Sequence, residues 1–439
     1  MFSYYLRNSI RSMRRNPALT ALVAMAIAVG IGVSITMLTF YHVMAGNPIP
    51  QKSDVLFRVQ LDSWNPIRPF NKDEPTEPPN QLTWRDASNL LADAKGKRQI
   101  AEFNAAMVIT PDKTGQLPFE VSVRVTDGDF FTMFNVPFIY GGGWGKQADR
   151  DASQVVVISR KINDRLFGGE NSVGRTITLA GRKFTVVGVR DTWQPMPRFY
   201  DIVNSPFDES EDVFLPISLT PVMKIQSNGS TYGWKPEPIK TFDDWLNSED
   251  AWLQYWVELP SARDKQAYLG YLDAYAESQK KLGRFQRPLN NRIYDVMGWL
   301  RHMKVVDNDI KVLVGLGFLF LLVCLLSSVS LLLTKFNTRV SEMSLRRALG
   351  ASKRDIIAQN LTEVGIIGAL GGLVGVGFTF VALRVIHSGI SDAPKALFTL
   401  DWTMLGYAIA IAVTTSLAAG IYPAVRTCAI TPAHQLKVS

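Results

Sequence analysis

From Ala18 to Met44 no side chain carries a formal charge. A run of about 20 apolar residues is long enough to cross the hydrocarbon core of a bilayer as a helix. Lipid satisfies no backbone N–H or C=O, so the helix is almost the only form such a run can take there. Three more runs follow: Ile310 to Leu333, with its one charge (Lys311) at the edge, Leu361 to Ile386, and Trp402 to Tyr422. Four crossings fix the plan of the remainder. The long polar stretch 47–305 forms one domain on one side, and the short stretch 334–360 lies on the other.

Charge gives the orientation. Arg7, Arg11, Arg14 and Arg15 precede the first run without an acid, and Thr334 to Ile356 holds six Lys/Arg against two acids. Basic loops stay inside. Both termini and 334–360 are therefore expected in the cytoplasm, with 47–305 outside, as in a multi-pass protein of the inner membrane. Arg426 and Lys437 place the tail 423–439 inside, and 387–401 is a short outer loop. The formal charge of +8 lies largely beside apolar runs, so lipid and not nucleic acid is the expected partner. A signal peptide is disfavoured, because the first run is too long and no A-x-A site follows.

Residues 1–17 place Phe2, Leu6, Ile10 and Met13 at helical spacing among arginines. This reads as an amphipathic helix on the cytoplasmic membrane surface, or as an ordinary basic flank. Gly30, Gly32 and Ser34 in the first span (18–44), and Gly368, Gly371, Gly372 and Gly375 in the third (361–386), would weaken a helix in water. In a bilayer they let helices approach closely.

The polar domain alternates strand and helix signals. Val55 to Leu61, Val121 to Val125, Val155 to Ser159 and Trp252 to Leu259 read as strands; Thr83 to Asp93 and the segment capped by Ser261 and Asp264 read as helices. The fold class is thus α-helical membrane protein with four transmembrane helices plus a large α+β extracytoplasmic domain. An α+β subdomain from 50–127 and 250–305 is expected, with a β-rich subdomain, 128–249, inserted. Gly169 to Thr176 nearly spells a phosphate loop, but Arg175 stands where lysine is required and a strand follows instead of a helix. Neither Cys324 nor Cys428 lies in this domain, and His42, His302, His387 and His434 show no metal-ligand spacing. No catalytic or metal motif appears.

Between the second and third runs stands Glu342-Met343-Ser344-Leu345-Arg346-Arg347-Ala348-Leu349-Gly350-Ala351-Ser352-Lys353-Arg354-Asp355-Ile356. This resembles the cytoplasmic loop of the FtsX-like, MacB-type permeases of ABC transporters. Asp129-Phe130-Phe131 with Phe134 and Pro137, the turn after Phe167, and Gly420 to Ala424 with Pro432-Ala433 are similar to further signatures of that family. The resemblance implies that 334–360 docks on an ATPase, with Glu342, Leu345, Arg346, Arg347, Leu349, Gly350, Arg354 and Ile356 in the coupling segment. Leu345, Leu349 and Ile356 would seat in a groove of the partner.

The resemblance further implies a cytoplasmic ABC ATPase dimer carrying ATP and Mg, with no cofactor on this chain. It implies a second permease subunit, identical or homologous, and allows a periplasmic adaptor and outer-membrane channel. Some family members carry the ATPase ahead of the first span; with that span starting near residue 18, a separate ATPase chain is expected. The function expected is export of a toxic compound or peptide from the envelope. Alternatives are extraction of a lipoprotein or lipid, regulation of an envelope enzyme, or a membrane-anchored sensor without transport. Glu363 is either a buried functional carboxylate or an interfacial acid facing water or the basic loop.

Overall fold

A computed structural model describes residues 2–112, 115–306, 308–389 and 402–429. The chain divides into two compact units, one of 46–305 and one joining 1–45 to 306–439. In the second of these, α1 (Phe2–Arg15) and α2 (Pro17–Ala45) are separated by Asn16 alone. Pro17 occupies the first position of α2, where its missing N–H costs nothing.

The polar unit begins with β1 (Leu56–Gln60), β2 (Leu82–Thr83), α3 (Trp84–Asp93), β3 (Arg98–Thr110) and β4 (Phe119–Thr126). Next come α4 (Asp129–Met133), β5 (Phe138–Gly141), α5 (Lys146–Arg150), β6 (Val155–Ser159), α6 (Arg160–Phe167), β7 (Thr176–Leu179) and β8 (Arg182–Arg190). The unit closes with β9 (Val213–Pro216), α7 (Leu219–Met223), α8 (Phe242–Leu246), β10 (Ala251–Glu258), α9 (Ala262–Lys281), β11 (Arg292–Asp295) and α10 (Val296–His302). Polar side chains start the helices: Thr83 accepts from Asp86 N, and Ser261 and Asp264 form a full capping box at α9.

The strands join one sheet in the order β11-β1-β10-β3-β4-β9-β6-β8-β5, with β2 against β10 and β7 against β3 and β8. Segment 128–249 holds β5 to β9 and α4 to α8 and shares this sheet: its β9 pairs in parallel with β4 and its β7 pairs with the end of β3. Strand alternation explains the sharing. Val123, Val125, Val213, Leu215, Leu253 and Tyr255 fall in one core, while their neighbours Phe214 and Trp256 fall in another with Phe130, Phe134 and Phe199. Successive side chains point to opposite faces, so both faces of the central strands are covered. Sharing the sheet is how both segments bury both faces.

The membrane unit resumes with α11 (Asn308–Asn337), α12 (Val340–Ala348), α13 (Lys353–Gly389) and α14 (Trp402–Ala429). Helices α2, α11, α13 and α14 are long and apolar enough to cross a membrane. The expected loop 334–360 is largely helical. α11 runs past Leu333 because Leu332, Lys335 and Phe336 are all buried. α12 stops at Gly350, whose φ of 102° is costly for any residue with a Cβ. Ser352 then caps α13, accepting from Asp355 N at 3.2 Å. α14 likewise continues through Pro423 to Ala429, beyond the expected end at Tyr422. The outer loop from 390 and the Pro432-Ala433 signature lie outside the described residues.

Candidate coupling site in the membrane unit

α12 is a nine-residue helix with two unlike sides. Val340 and Ser344, one turn apart, are buried; Leu345 is 59% exposed and Leu349 just past the helix end 81% exposed. The base is pinned by charge. Arg346 pairs with Glu342 one turn back at 2.7 Å and donates to Gln359 of α13 at 3.2 Å. Glu342 also meets Arg15 of α1 at 3.1 Å, and Tyr5 of α1 donates to Asp355 of α13 at 3.1 Å. Arg354 is exposed on the first turn of α13, and Arg347 is half-buried on α12. Ile356 does not belong to the outward set: it is only 5% exposed, because the start of α13 turns that side inward. The outward apolar set is therefore Leu345 and Leu349.

Below this helix lies a group that the pattern of residues did not reveal. Lys335 and Glu363 are both fully buried and form an ion pair at 2.6 Å. Lys335 Nζ also donates to Thr20 of α2 at 2.8 Å. Arg339, in the break between α11 and α12, approaches Glu363 at 3.4 Å and donates to Ser12 of α1. Glu363 thus faces the basic segment, but from inside the protein and not across water. Its partner sat in what looked like a loop, and a helix continuing four residues past its apolar run is what brings the two together.

Small residues set the spacing of the spans. A Cβ on Gly375 would meet the carbonyl of Ala28 at 2.9 Å and Ile31 at 3.2 Å, and one on Gly371 would meet Ala24 O at 2.9 Å. Gly32 faces Phe378 at 3.1 Å, Gly30 faces Cys324 and Leu321 at 3.0 Å, Gly372 faces Ala412 at 2.6 Å, and Gly368 abuts Ser416. Hydroxyls bridge the same contacts: Thr379 donates to Gly32 O at 3.2 Å and Ser34 to Gly317 O at 2.9 Å. Close backbone approach with interhelical hydrogen bonds is how spans cohere where the hydrophobic effect offers nothing.

The polar unit holds charge clusters of another kind. Arg124 meets Asp201 at 2.6 Å and Glu211 at closer range, and Arg198 meets Glu211 at 2.9 Å, all buried. Burial opposes the charge of Glu211, yet Arg124 and Arg198 outweigh it and hold the carboxyl down to about 2. Glu102, also buried beside Arg124, is pushed well above the usual carboxylate range by desolvation. These groups tie β3 and β4 to the segment before β9. Near Gly128, burial pushes Asp149 up to about 6 and Asp127 well above its ordinary value. The would-be phosphate loop is a surface turn from α6 to β7, where Arg175 pairs with Glu170 at 3.0 Å. Among the described residues no group of His, Cys, Asp and Glu is placed to hold a metal ion.

Residues 20–274 match the MacB-like periplasmic core domain, and 314–432 match the FtsX-like permease C-terminal region. The chain belongs to the FtsX-like, MacB-type ABC transporter permease family. The permease is 24% identical over 404 residues to the macrolide export ATP-binding/permease protein MacB of Rhodospirillum rubrum, covering 89% of this chain and 54% of that protein. It is 22% identical to the pyoverdine export ATP-binding/permease protein PvdT of Pseudomonas aeruginosa, over 73% of this chain and 43% of that one. The permease thus spans about half the length of these curated relatives. Among solved structures, the periplasmic region of MacB from Actinobacillus actinomycetemcomitans is similar with a TM-score of 0.37 and 12% identity, covering 59% of the permease and 98% of that chain.

The family and the four apolar helices place the protein in the membrane with several spans. α12 sits, in sequence, inside the FtsX-like region, between two of its spans.

Proposed function

We propose that this permease couples ATP hydrolysis, carried out by an ATPase domain outside residues 1–439, to movement of its polar domain on the far side of the inner membrane. The ATPase docks on α12 from the cytoplasm, where both termini also lie. Two permease subunits, identical or homologous, work with two ATPase subunits, which bind the ATP and Mg. The supporting observation is Leu345 and Leu349, two large apolar side chains held outward on a short helix whose base is ion-paired to its own unit. An apolar ridge on a basic helix fits a groove on a partner, with Arg354 and Arg347 at its rim. The names of the relatives, macrolide and pyoverdine export, support outward movement of a compound from the envelope. An adaptor and an outer-membrane channel complete the proposed assembly.

Seating the two leucines would gain roughly 3 kcal/mol together, given about 1.5–3 kcal/mol for each fully buried side chain and the exposure that remains. That is about 150-fold in affinity. The test is copurification from membranes. Leu345→Asp/Leu349→Asp is expected to stay folded and inserted but to lose its ATPase and its transport. Retention of the ATPase at wild-type stoichiometry with normal transport refutes the docking.

A further inference from the structure

Lys335, Arg339 and Glu363 draw together α1, α2, α11 and α13. Glu363 brings α13, Lys335 brings α11, Thr20 brings α2 and Ser12 brings α1. Arg339 lies in the short break between α11 and α12, as the residue directly before α12. A shift of α12 as a body therefore carries Arg339 with it and pulls on Glu363 and Ser12.

Uncharged packing also holds the spans together. Gly371 and Gly375 already pack α13 on α2, and Gly368 and Gly372 pack it on α14, all without charge. Two cations share one acid, an arrangement that apolar residues of like volume would match or better for stability alone. Two further ties between α12 and its neighbours, Arg15 to Glu342 and Arg346 to Gln359, are partly exposed and weakened by salt. The buried cluster keeps its strength.

We infer that Lys335, Arg339 and Glu363 are positioning residues that form the joint through which a displacement of α12 moves α1 and α13. The inference rests on the docking reading above. The Lys335–Glu363 bond at 2.6 Å is short and charge-assisted and fixes the register of α11 and α13, where an apolar contact would slide; Arg339 joins α12 to that pair at 3.4 Å. A push on Leu345 and Leu349 is then delivered at one place, the cytoplasmic end of α13, and α13 carries it along its length as a rigid element.

The test uses the permease purified with the ATPase that copurifies with it, in nanodiscs, with hydrogen exchange of α1, α12 and α13 followed in ADP and in ATP with Mg. In the wild type, nucleotide is expected to change exchange in all three helices. Glu363→Gln strands two cations, and exchange in α1 is expected to rise by about a hundredfold. Lys335→Met/Glu363→Gln removes the charges as a pair. It should recover the thermal midpoint and keep the ATPase at wild-type stoichiometry, while the nucleotide response survives in α12 and vanishes from α1 and α13. A double variant that responds in all three helices overturns the joint. Should that variant not fold, Arg339→Gln decides in its place: it leaves the Lys335–Glu363 pair intact and must lose the response in α1 and α13. Failure of the docking reading looks different: Leu345→Asp/Leu349→Asp retains the ATPase, or the wild type shows no nucleotide response even in α12.

Discussion

Gly375 and Gly377 lie two residues apart on α13, and alanine is expected to act on them in opposite directions. Helix propensity treats them alike: Gly→Ala in a helix interior gains about 1 kcal/mol. Their surroundings differ. A Cβ at 377 meets nothing within 4 Å, whereas at 375 it meets the Ala28 carbonyl at 2.9 Å and Ile31 at 3.2 Å. The obstructing atom is backbone, so α2 itself must move by several tenths of an ångström, and overpacking of that kind costs about 1–3 kcal/mol. The bond from Thr379 to Gly32 O, at 3.2 Å, stretches with it. Gly375→Ala should therefore be neutral to about 2 kcal/mol destabilising, and Gly377→Ala about 1 kcal/mol stabilising. Denaturant titration of the purified permease in detergent, read by circular dichroism, gives both midpoints. Equal midpoints, or a more stable Gly375→Ala, would refute the claim that close approach at Gly375 sets the spacing of α2 and α13.

Three further outcomes follow from the structure. Glu211→Gln leaves Arg124 and Arg198 buried with too little negative charge, and is expected to destabilise the permease by about 3–5 kcal/mol in the same titration. Burial holds Asp149 at about 6 in the folded state, against about 3.9 for a free side chain. The folded state therefore binds the extra proton between those values; the contribution is complete below about pH 4 and is lost as pH rises through 6. Asp149→Asn should remove that segment of the stability-against-pH curve, and an unchanged difference between variant and wild type across pH 4–6 counts against it. In a background lacking Cys324 and Cys428, an impermeant thiol reagent should label Lys280→Cys and not Lys353→Cys in cells with a permeable outer membrane; the reverse pattern overturns the orientation.

Much of the fold was legible because periodicity reports burial. Val155 to Ser159 reads as a strand because its residues are apolar, and Ser261 with Asp264 reads as a cap because the pair can satisfy free N–H groups at both ends of the box. What could not be read was which strands share a sheet. Nothing local says that Val123 lies beside Val213, so the single sheet through both segments had no signature. On α12, helical spacing groups Leu345, Leu349 and Ile356, but the break at Gly350 resets the phase and turns Ile356 inward.

The Lys335–Glu363 pair was hidden for a more general reason. A hydropathy reading ends a span at its first charge, since a lone charge in lipid is expensive. That treats each charge as if it had no partner. Lys335 stands just past the apolar run of α11 and Glu363 just inside that of α13, so each reads as a charge at the edge of a span while the two together fill a buried site. An unpaired charge at either position would have had to reach water. With the charges paired inside the protein, α11 continues to Asn337, and α13 begins at Lys353 under its Ser352 cap. The connector is thereby cut to one short helix with a two-residue break before it and a four-residue break after it. So short a connector, tied by Arg339 to the same acid, leaves α12 little freedom to move without its neighbours.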